Sequence, residues 1–421
     1  MNITEALQYI DGTQWFGSKP GLERTEALLD KLGRPQDRLK YVHIAGTNGK
    51  GSCAAMLASI LKAAGYRTGL YTSPYLFRFH ERMQINGEPV SDEALADLVT
   101  RIRPLAEAMD DHPTEFELIT AAALLWFAEE HCDIVVLEVG LGGRLDATNV
   151  IAAPEAAVLM NIGLDHTAVL GDTLEQIAAE KAGILKPGCE AVAYQQQESV
   201  LEVFRQKARE VGAGLHVADF SQLVPEFDSL EGQSFTYRGE PYALALLGDH
   251  QLRNAAVVLE TVEVLRRRGW RISHEAVEHG LYATAWPARF EPVSEEPPFI
   301  VDGGHNPQCA ESVRRNLLHY FPESRRVLLV GVLRDKDYPA LFDILNEAAD
   351  AWVCVTPNSE RALPAAELGA FLERFGKPVT VCESIPDGVE TAREQAGEDG
   401  MACAVGSLYM AGAVRACFGL T

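Results

Sequence analysis

The stretch that most restricts the fold runs from Tyr41 to Ala64. Tyr41-Val-His-Ile-Ala45 is a short apolar run of buried-strand type, and Cys53 to Ala64 is a run of small and apolar residues with helical spacing. Between them stand Gly46, Thr47, Asn48, Gly49, Lys50, Gly51 and Ser52. Strand, glycine turn and helix start is the layout of a phosphate-binding loop. The glycines let backbone N–H groups approach phosphates. Lys50 supplies a point charge, and the helix start adds partial positive charge. The match to Gly-x-x-x-x-Gly-Lys-Ser/Thr is incomplete. Ile44 stands at the first glycine position, and Gly51, which has no hydroxyl, follows the lysine. Either Ser52 offers its hydroxyl to a metal, or magnesium is held mainly from elsewhere in the chain.

A chain of 421 residues has room for two or three domains with real cores. Its 60 acidic against 37 basic residues give a net charge of −23, which disfavours general binding to nucleic acid or anionic membrane. No apolar run approaches the roughly 20 residues of a membrane span. The first ten residues lack the basic start and apolar core of a secretion signal. The eight cysteines are scattered without a Cys-x-x-Cys pair, which favours reduced thiols and a cytoplasmic setting.

Polar residues cluster where strands end. Residues 72–83 mix aromatics and charges without periodicity, as a functional loop does, and Asn86-Gly87 signals a hairpin. Asp133 to Val139 reads as a buried strand with Glu138 near its C-terminal end, the end that faces ligands in parallel α/β sheets. A carboxylate there suits magnesium. His166 follows another strand, and Lys181 lies among small residues on a helix expected over 173–186. By pattern alone His166 reads equally as a structural histidine, and Lys181 reads as a solvated lysine, as most helical lysines are. A hairpin is expected over 234–247. Pro292 to Pro298 is rich in proline and glutamate and marks a domain boundary. Beyond it five strands alternate with helices, as in a small doubly wound domain. The expected fold class is α/β: a large P-loop domain with a central sheet, residues 1–290, and a smaller Rossmann-like domain, residues 291–421.

Eight motifs in order carry a resemblance. They are Gly46-Thr-Asn-Gly-Lys-Gly-Ser52, Thr72-Ser-Pro-x-Leu76, Leu137-Glu-Val-Gly-Leu-Gly-Gly-Arg-Leu-Asp-Ala-Thr-Asn149, Asp165-His166, Glu180-Lys-Ala-Gly-Ile184, His250-Gln-x-x-Asn254, Asp302-Gly-x-His-Asn-Pro307 and Ser407-Leu-Tyr409. The chain resembles the bacterial folylpolyglutamate synthases, often also dihydrofolate synthases, of the Mur-ligase superfamily. The resemblance implies an ATP- and magnesium-dependent ligase. A folate or dihydropteroate carboxylate becomes an acyl phosphate, and the amine of L-glutamate then attacks it.

It also implies roles for residues. Gly46 to Ser52, with Asn254, Arg289 and Asp302, would face the nucleotide. Ser73, Glu138 and His166 would bind magnesium, and Lys181 would be carbamylated and serve a second magnesium site. Lys50, Lys181 and His305 would act in catalysis. Asp302, His305 and Ser407 would position glutamate. Arg82, Thr114, Phe116 and Asp146 would meet the pterin side, although Phe116 reads equally as a core aromatic. Small-molecule substrates, no nucleic-acid or membrane partner and a monomer are expected. Two positions depart from the family pattern: Ala288 in Trp-Pro-Ala-Arg, where glycine is usual, and Gly304 in Asp-Gly-Gly-His, where alanine is usual. A ligase acting on a UDP-sugar precursor is the nearest rival. A GTPase switch is a rival of another class, but the Asn/Thr-Lys-x-Asp sequence that reads guanine is missing.

Overall fold

The computed structural model describes residues 1–13 and 20–420. The chain divides into two compact units. The first comprises Met1–Val224, Thr236–Tyr242 and Arg253–Thr284. The second comprises Pro225–Phe235, Ala243–Leu252 and Ala285–Thr421. The expected boundary at 290/291 lies within the second unit.

The first unit is built on eight strands: β1 (Tyr41–Ala45), β2 (Thr68–Tyr71), β3 (Met83–Ile85), β4 (Glu88–Pro89), β5 (Ile134–Glu138), β6 (Ala156–Leu159), β7 (Glu190–Ala193) and β8 (Gly214–Val217). They form one sheet of order β4-β3-β2-β5-β1-β6-β7-β8. Strands β2, β5, β1, β6, β7 and β8 run parallel, and β3 and β4 add an antiparallel edge through the Asn86-Gly87 turn. All five residues of β1 and of β5 are buried, as strands covered on both faces must be.

Tyr41 and Ala45 lie on one face of β1 and border two different cores. Tyr41 packs in a core with the helices Ile3–Gly12, Asp92–Glu107 and Glu115–Glu129. Ala45 packs in a second core with the helices Leu174–Ala182 and Glu198–Val211. The helix Lys50–Ala63 meets His274–Tyr282 at Gly280, where an added Cβ would lie 2.5 Å from the Ile60 Cα. Only glycine permits that approach.

The register puts the ends of the parallel strands in line. Ile44 pairs with Glu138, Tyr71 with Leu137 and Ala45 with Leu159. The loops that begin at Gly46, Thr72, Val139 and Met160 therefore leave one edge of the sheet.

Three expectations gain detail. The helix expected over 173–186 is Leu174–Ala182, with Gly183 as its C-cap. The hairpin expected over 234–247 has a third partner: β9 (Leu223–Ser229), β10 (Gly232–Tyr237) and β11 (Glu240–Leu244) form a sheet of order β11-β10-β9. The proline-rich stretch itself contributes a strand. Glu291–Glu295 forms β12, antiparallel to β13 (Pro298–Val301). Pro292 is tolerated there because β12 is an edge strand.

The second unit continues with β14 (Arg326–Val330), β15 (Ala351–Cys354), β16 (Val379–Val381) and β17 (Met401–Val405). The sheet order is β12-β13-β17-β14-β15-β16, parallel except for β12. Trp352 and Phe342 meet edge to face in its core, 5.7 Å apart. None of the eight cysteines forms a disulfide. Among the described residues no helix is long and apolar enough to cross a membrane.

Candidate active site

The phosphate loop leaves β1 and turns under tight steric control. An added Cβ on Gly46 would lie 2.5 Å from the Met160 Cβ. Gly49 has φ +83°, and its Cβ would stand 2.7 Å from Asn254 Oδ1. Glycine is required at Gly49 for both reasons. The same geometry brings Asn254 to the turn. Thr47 N–H donates to the Asn161 carbonyl at 2.8 Å, and Thr47 Oγ1 exchanges hydrogen bonds of 3.1 Å with the backbone of Gly163. The Lys50 ammonium folds back onto the carbonyls of Gly46, at 3.0 Å, and Thr47, at 3.2 Å. Ser52 is buried within the helix.

Beside this loop, Ser73 N–H donates to Glu138 Oε2 at 3.3 Å. The ends of β2 and β5 thus bring two expected metal ligands together. Glu138 is buried, and with the Ser73 hydroxyl it offers the hard oxygen donors that magnesium prefers. His166 lies after β6 with φ +51° and a side chain 46% exposed, its Nε2 3.9 Å from Asp165 Oδ1.

Lys181 is 4% exposed. Burial, and then repulsion from Lys50, lowers its amine to about 7, against the pull of Asp165 and Asp146. The glycine-rich loop holds this helix closely. A Cβ on Gly143 would lie 2.9 Å from the Glu180 carbonyl oxygen, and one on Gly183 would lie 2.4 Å from the Arg144 Cβ. Asn149 Nδ2 donates to the carbonyls of Arg144, at 3.1 Å, and Gly183, at 3.2 Å.

Asp146 turns into its own loop. It accepts from Leu141 N at 2.9 Å, Thr148 N at 3.0 Å and Thr148 Oγ1 at 2.5 Å. Thr148 Oγ1 is also 2.9 Å from His43 Nε2, which ties the loop to β1. Burial pushes the Asp146 carboxyl up. Phe116 is half-buried, its ring lying where a Cβ on Gly140 would meet Cζ at 2.5 Å. Thr114 caps the helix Glu115–Glu129 in a reciprocal capping box with Glu117. Arg82 Nη2 is 3.9 Å from Glu115 Oε1, and the guanidinium lies 5.4 Å from the Tyr75 ring centroid and 5.5 Å from that of Phe79. Its Nε and Nη1 are buried without a hydrogen-bond partner. Two unsatisfied donors on a largely buried cation are costly, and acceptor oxygens of a bound ligand would satisfy them.

In the second unit, Asp302 lies just after β13 and Ser407 just after β17. Gly406 N–H donates to the Gly304 carbonyl at 3.0 Å, which joins the two loops and brings Asp302, His305 and Ser407 to one sheet edge. Asp302 accepts from Phe290 N at 2.8 Å and Gly304 N at 2.6 Å. Burial raises its carboxyl, although Arg289 opposes the shift. His305 Nδ1 is 3.0 Å from the Gly303 carbonyl oxygen. Ser407 caps the helix Leu408–Cys417.

Arg289 sits between two left-handed residues, Ala288 at φ +55° and Phe290 at φ +49°. Left-handed backbone costs a non-glycine residue about 1–2 kcal/mol, while glycine loses about 0.5–1 kcal/mol of chain entropy. Ala288→Gly is therefore expected to stabilise the chain by about 0.5–1 kcal/mol, read as a higher denaturant midpoint at unchanged slope.

Fold and site together define a P-loop unit followed by a parallel α/β unit with polar strand ends, and the comparisons agree. The Mur ligase middle domain matches residues 44–262, and the Mur ligase glutamate ligase domain matches residues 288–408. The chain belongs to the Mur ligases. It is 37% identical to the dihydrofolate synthase/folylpolyglutamate synthase of Bacillus subtilis, covering 98% of each chain. It is 36% identical to the folylpolyglutamate synthase of Lacticaseibacillus casei, covering 99% of this chain and 98% of the relative. Escherichia coli FolC in complex with DHPP and ADP superposes with a TM-score of 0.89 at 30% identity, covering 100% of this chain and 98% of the other. Within the Mur ligases the chain belongs to the dihydrofolate synthase/folylpolyglutamate synthase family.

Sequence reasoning missed three contributors. The charge of Asp165 acts on Lys181, yet the motif drew attention to its neighbour His166. Asn161 holds the phosphate loop through its backbone, which carries no residue signature. Arg24 reaches the Thr114 cap through Glu117, a contact separated by 93 positions.

Proposed function

We propose that this chain is an ATP-dependent ligase that joins L-glutamate to the carboxylate of a folate, and to that of dihydropteroate. The observation that carries the ligase reading is the buried Lys181 amine, which feels the charges of the phosphate-loop lysine and of two carboxylates. The folate class is supported by relatives of that name matched along nearly their whole length, and by similarity to an FPGS–AMPPCP–folate complex (TM-score 0.86, 33% identity, 99% of each chain covered).

The reaction conserves its atoms simply. A substrate carboxylate oxygen attacks the γ-phosphorus, and ADP leaves. The glutamate amine attacks the acyl carbon, phosphate leaves with the bridging oxygen, and the nitrogen gives up a proton. The Gly46–Ser52 loop binds the phosphates through backbone N–H groups, and Lys50 leaves its carbonyl partners to reach them. Asn254, Arg289 and Asp302 serve the nucleotide. Ser73, Glu138 and His166 would hold magnesium, which neutralises charge developing on phosphate oxygens when bound. Lys181, as a neutral amine, adds CO2 and loses a proton to give a carbamate, reversing its charge and making it a ligand for a second magnesium.

Arg82 takes a substrate carboxylate, Phe116 stacks on the pterin, and Thr114 and Asp146 shape that pocket. Asp302, His305 and Ser407 position glutamate, with His305 also serving the phosphates. The expected chain is a cytoplasmic monomer.

The test is a panel of acceptors with ATP, magnesium and labelled glutamate. Dihydropteroate and tetrahydrofolate are expected to gain glutamate, and UDP-sugar precursors none. Label transferred only to a UDP-sugar acceptor would refute the folate reading.

A further inference from the structure

We propose that Arg24 is a positioning residue for the pterin side of the site, acting through Glu117 on the first turn of the helix Glu115–Glu129. The proposal rests on the functional reading above. Arg24 lies on the helix Glu23–Lys31 and is 8% exposed, and Glu117 is 6% exposed. The guanidinium meets Glu117 in a fork: Nε to Oε2 at 3.0 Å and Nη2 to Oε1 at 2.9 Å. Its Nη1 reaches Asp111 Oδ2 at 3.3 Å, in the segment that leads into the capped helix. Glu117 Oε2 also accepts from Thr114 N at 2.7 Å, and Thr114 Oγ1 accepts from Glu117 N at 3.3 Å.

One arginine thus fixes the carboxylate that closes the cap, together with the segment before it. The two residues inside this turn are the ones that face outward to the site. Glu115 is the carboxylate nearest Arg82, and Phe116 rests against Gly140. A buried ion pair is poor evidence of stabilisation, because apolar residues often serve as well. The planar fork supplies orientation instead, and lysine cannot reproduce it.

The test uses the full chain with Arg24→Met/Glu117→Gln. This pair leaves no uncompensated buried charge, and glutamine keeps the capping box. The expected result is a folded protein whose KM for dihydropteroate rises by about tenfold or more while its KM for ATP stays within about twofold. Amide hydrogen exchange at Thr114–Leu118 is expected to quicken. Arg24→Lys should give the same split in weaker form, and it carries the test if the double variant does not fold. Unchanged exchange with an unchanged dihydropteroate KM would overturn the proposal, as would equal losses for both substrates. If the wild-type chain converts no dihydropteroate, the functional reading fails, and the exchange at Thr114–Leu118 decides the clamp alone.

Discussion

Lys181→Met is expected to lower glutamate-dependent turnover by about 10²–10³-fold or more, and bicarbonate should not restore it. The reason lies in the environment of the amine. An ordinary lysine is almost wholly protonated near neutrality and does not add CO2. Burial and Lys50 bring Lys181 down to about 7, so a large fraction is neutral where the enzyme would work. Wild-type protein equilibrated with ¹³C-bicarbonate should show one carbamate resonance that the variant lacks. That resonance should fade as the pH falls below about 7, when the amine protonates.

Stability separates this loss from unfolding. The folded amine binds its proton less tightly than the unfolded one. In the uncarbamylated chain the cost of burying the cation is therefore full below about pH 7 and fades as the pH rises toward 10.5. Lys181→Met should melt higher than wild type at pH 6 while turning over far less. A variant that retains wild-type activity would refute the carbamate.

Lys50→Met is expected to cost about 10²–10³-fold in kcat, with a smaller effect on nucleotide affinity. Its ammonium rests on two backbone carbonyls of its own loop, contacts it can exchange for phosphate oxygens at little conformational cost. The loop geometry itself rests on Gly46 and Gly49 and survives the substitution. ADP affinity should fall only several-fold, measured by calorimetry, while phosphate release nearly stops. An equal loss in binding and turnover would mean that Lys50 serves ground-state binding alone.

Much of this was legible in sequence because it is local. The phosphate loop, the buried strands and the polar strand ends follow from residue type and period. The register that pairs Tyr71 with Leu137, and so sets Ser73 beside Glu138, follows from parallel pairing between strands separated by a long crossover. What stayed hidden depends on distant contacts. Arg24 and Glu117 give no periodic signal as a pair, and Asn161 acts through a carbonyl that any residue carries. The stretch around Pro292 read only as a domain boundary because composition does not report that an edge strand leaves N–H positions unused. Asp146 shows a further limit. Its motif marks it for the pterin, while its side chain also organises the loop that carries it.

The most direct measurement follows oxygen. Dihydropteroate labelled with ¹⁸O in its carboxylate is supplied with ATP, magnesium and L-glutamate, and the released phosphate is examined by mass spectrometry. The account predicts glutamate-dependent phosphate carrying one labelled oxygen per glutamyl dihydropteroate formed. Unlabelled phosphate, or no glutamate-dependent phosphate at all, would contradict it.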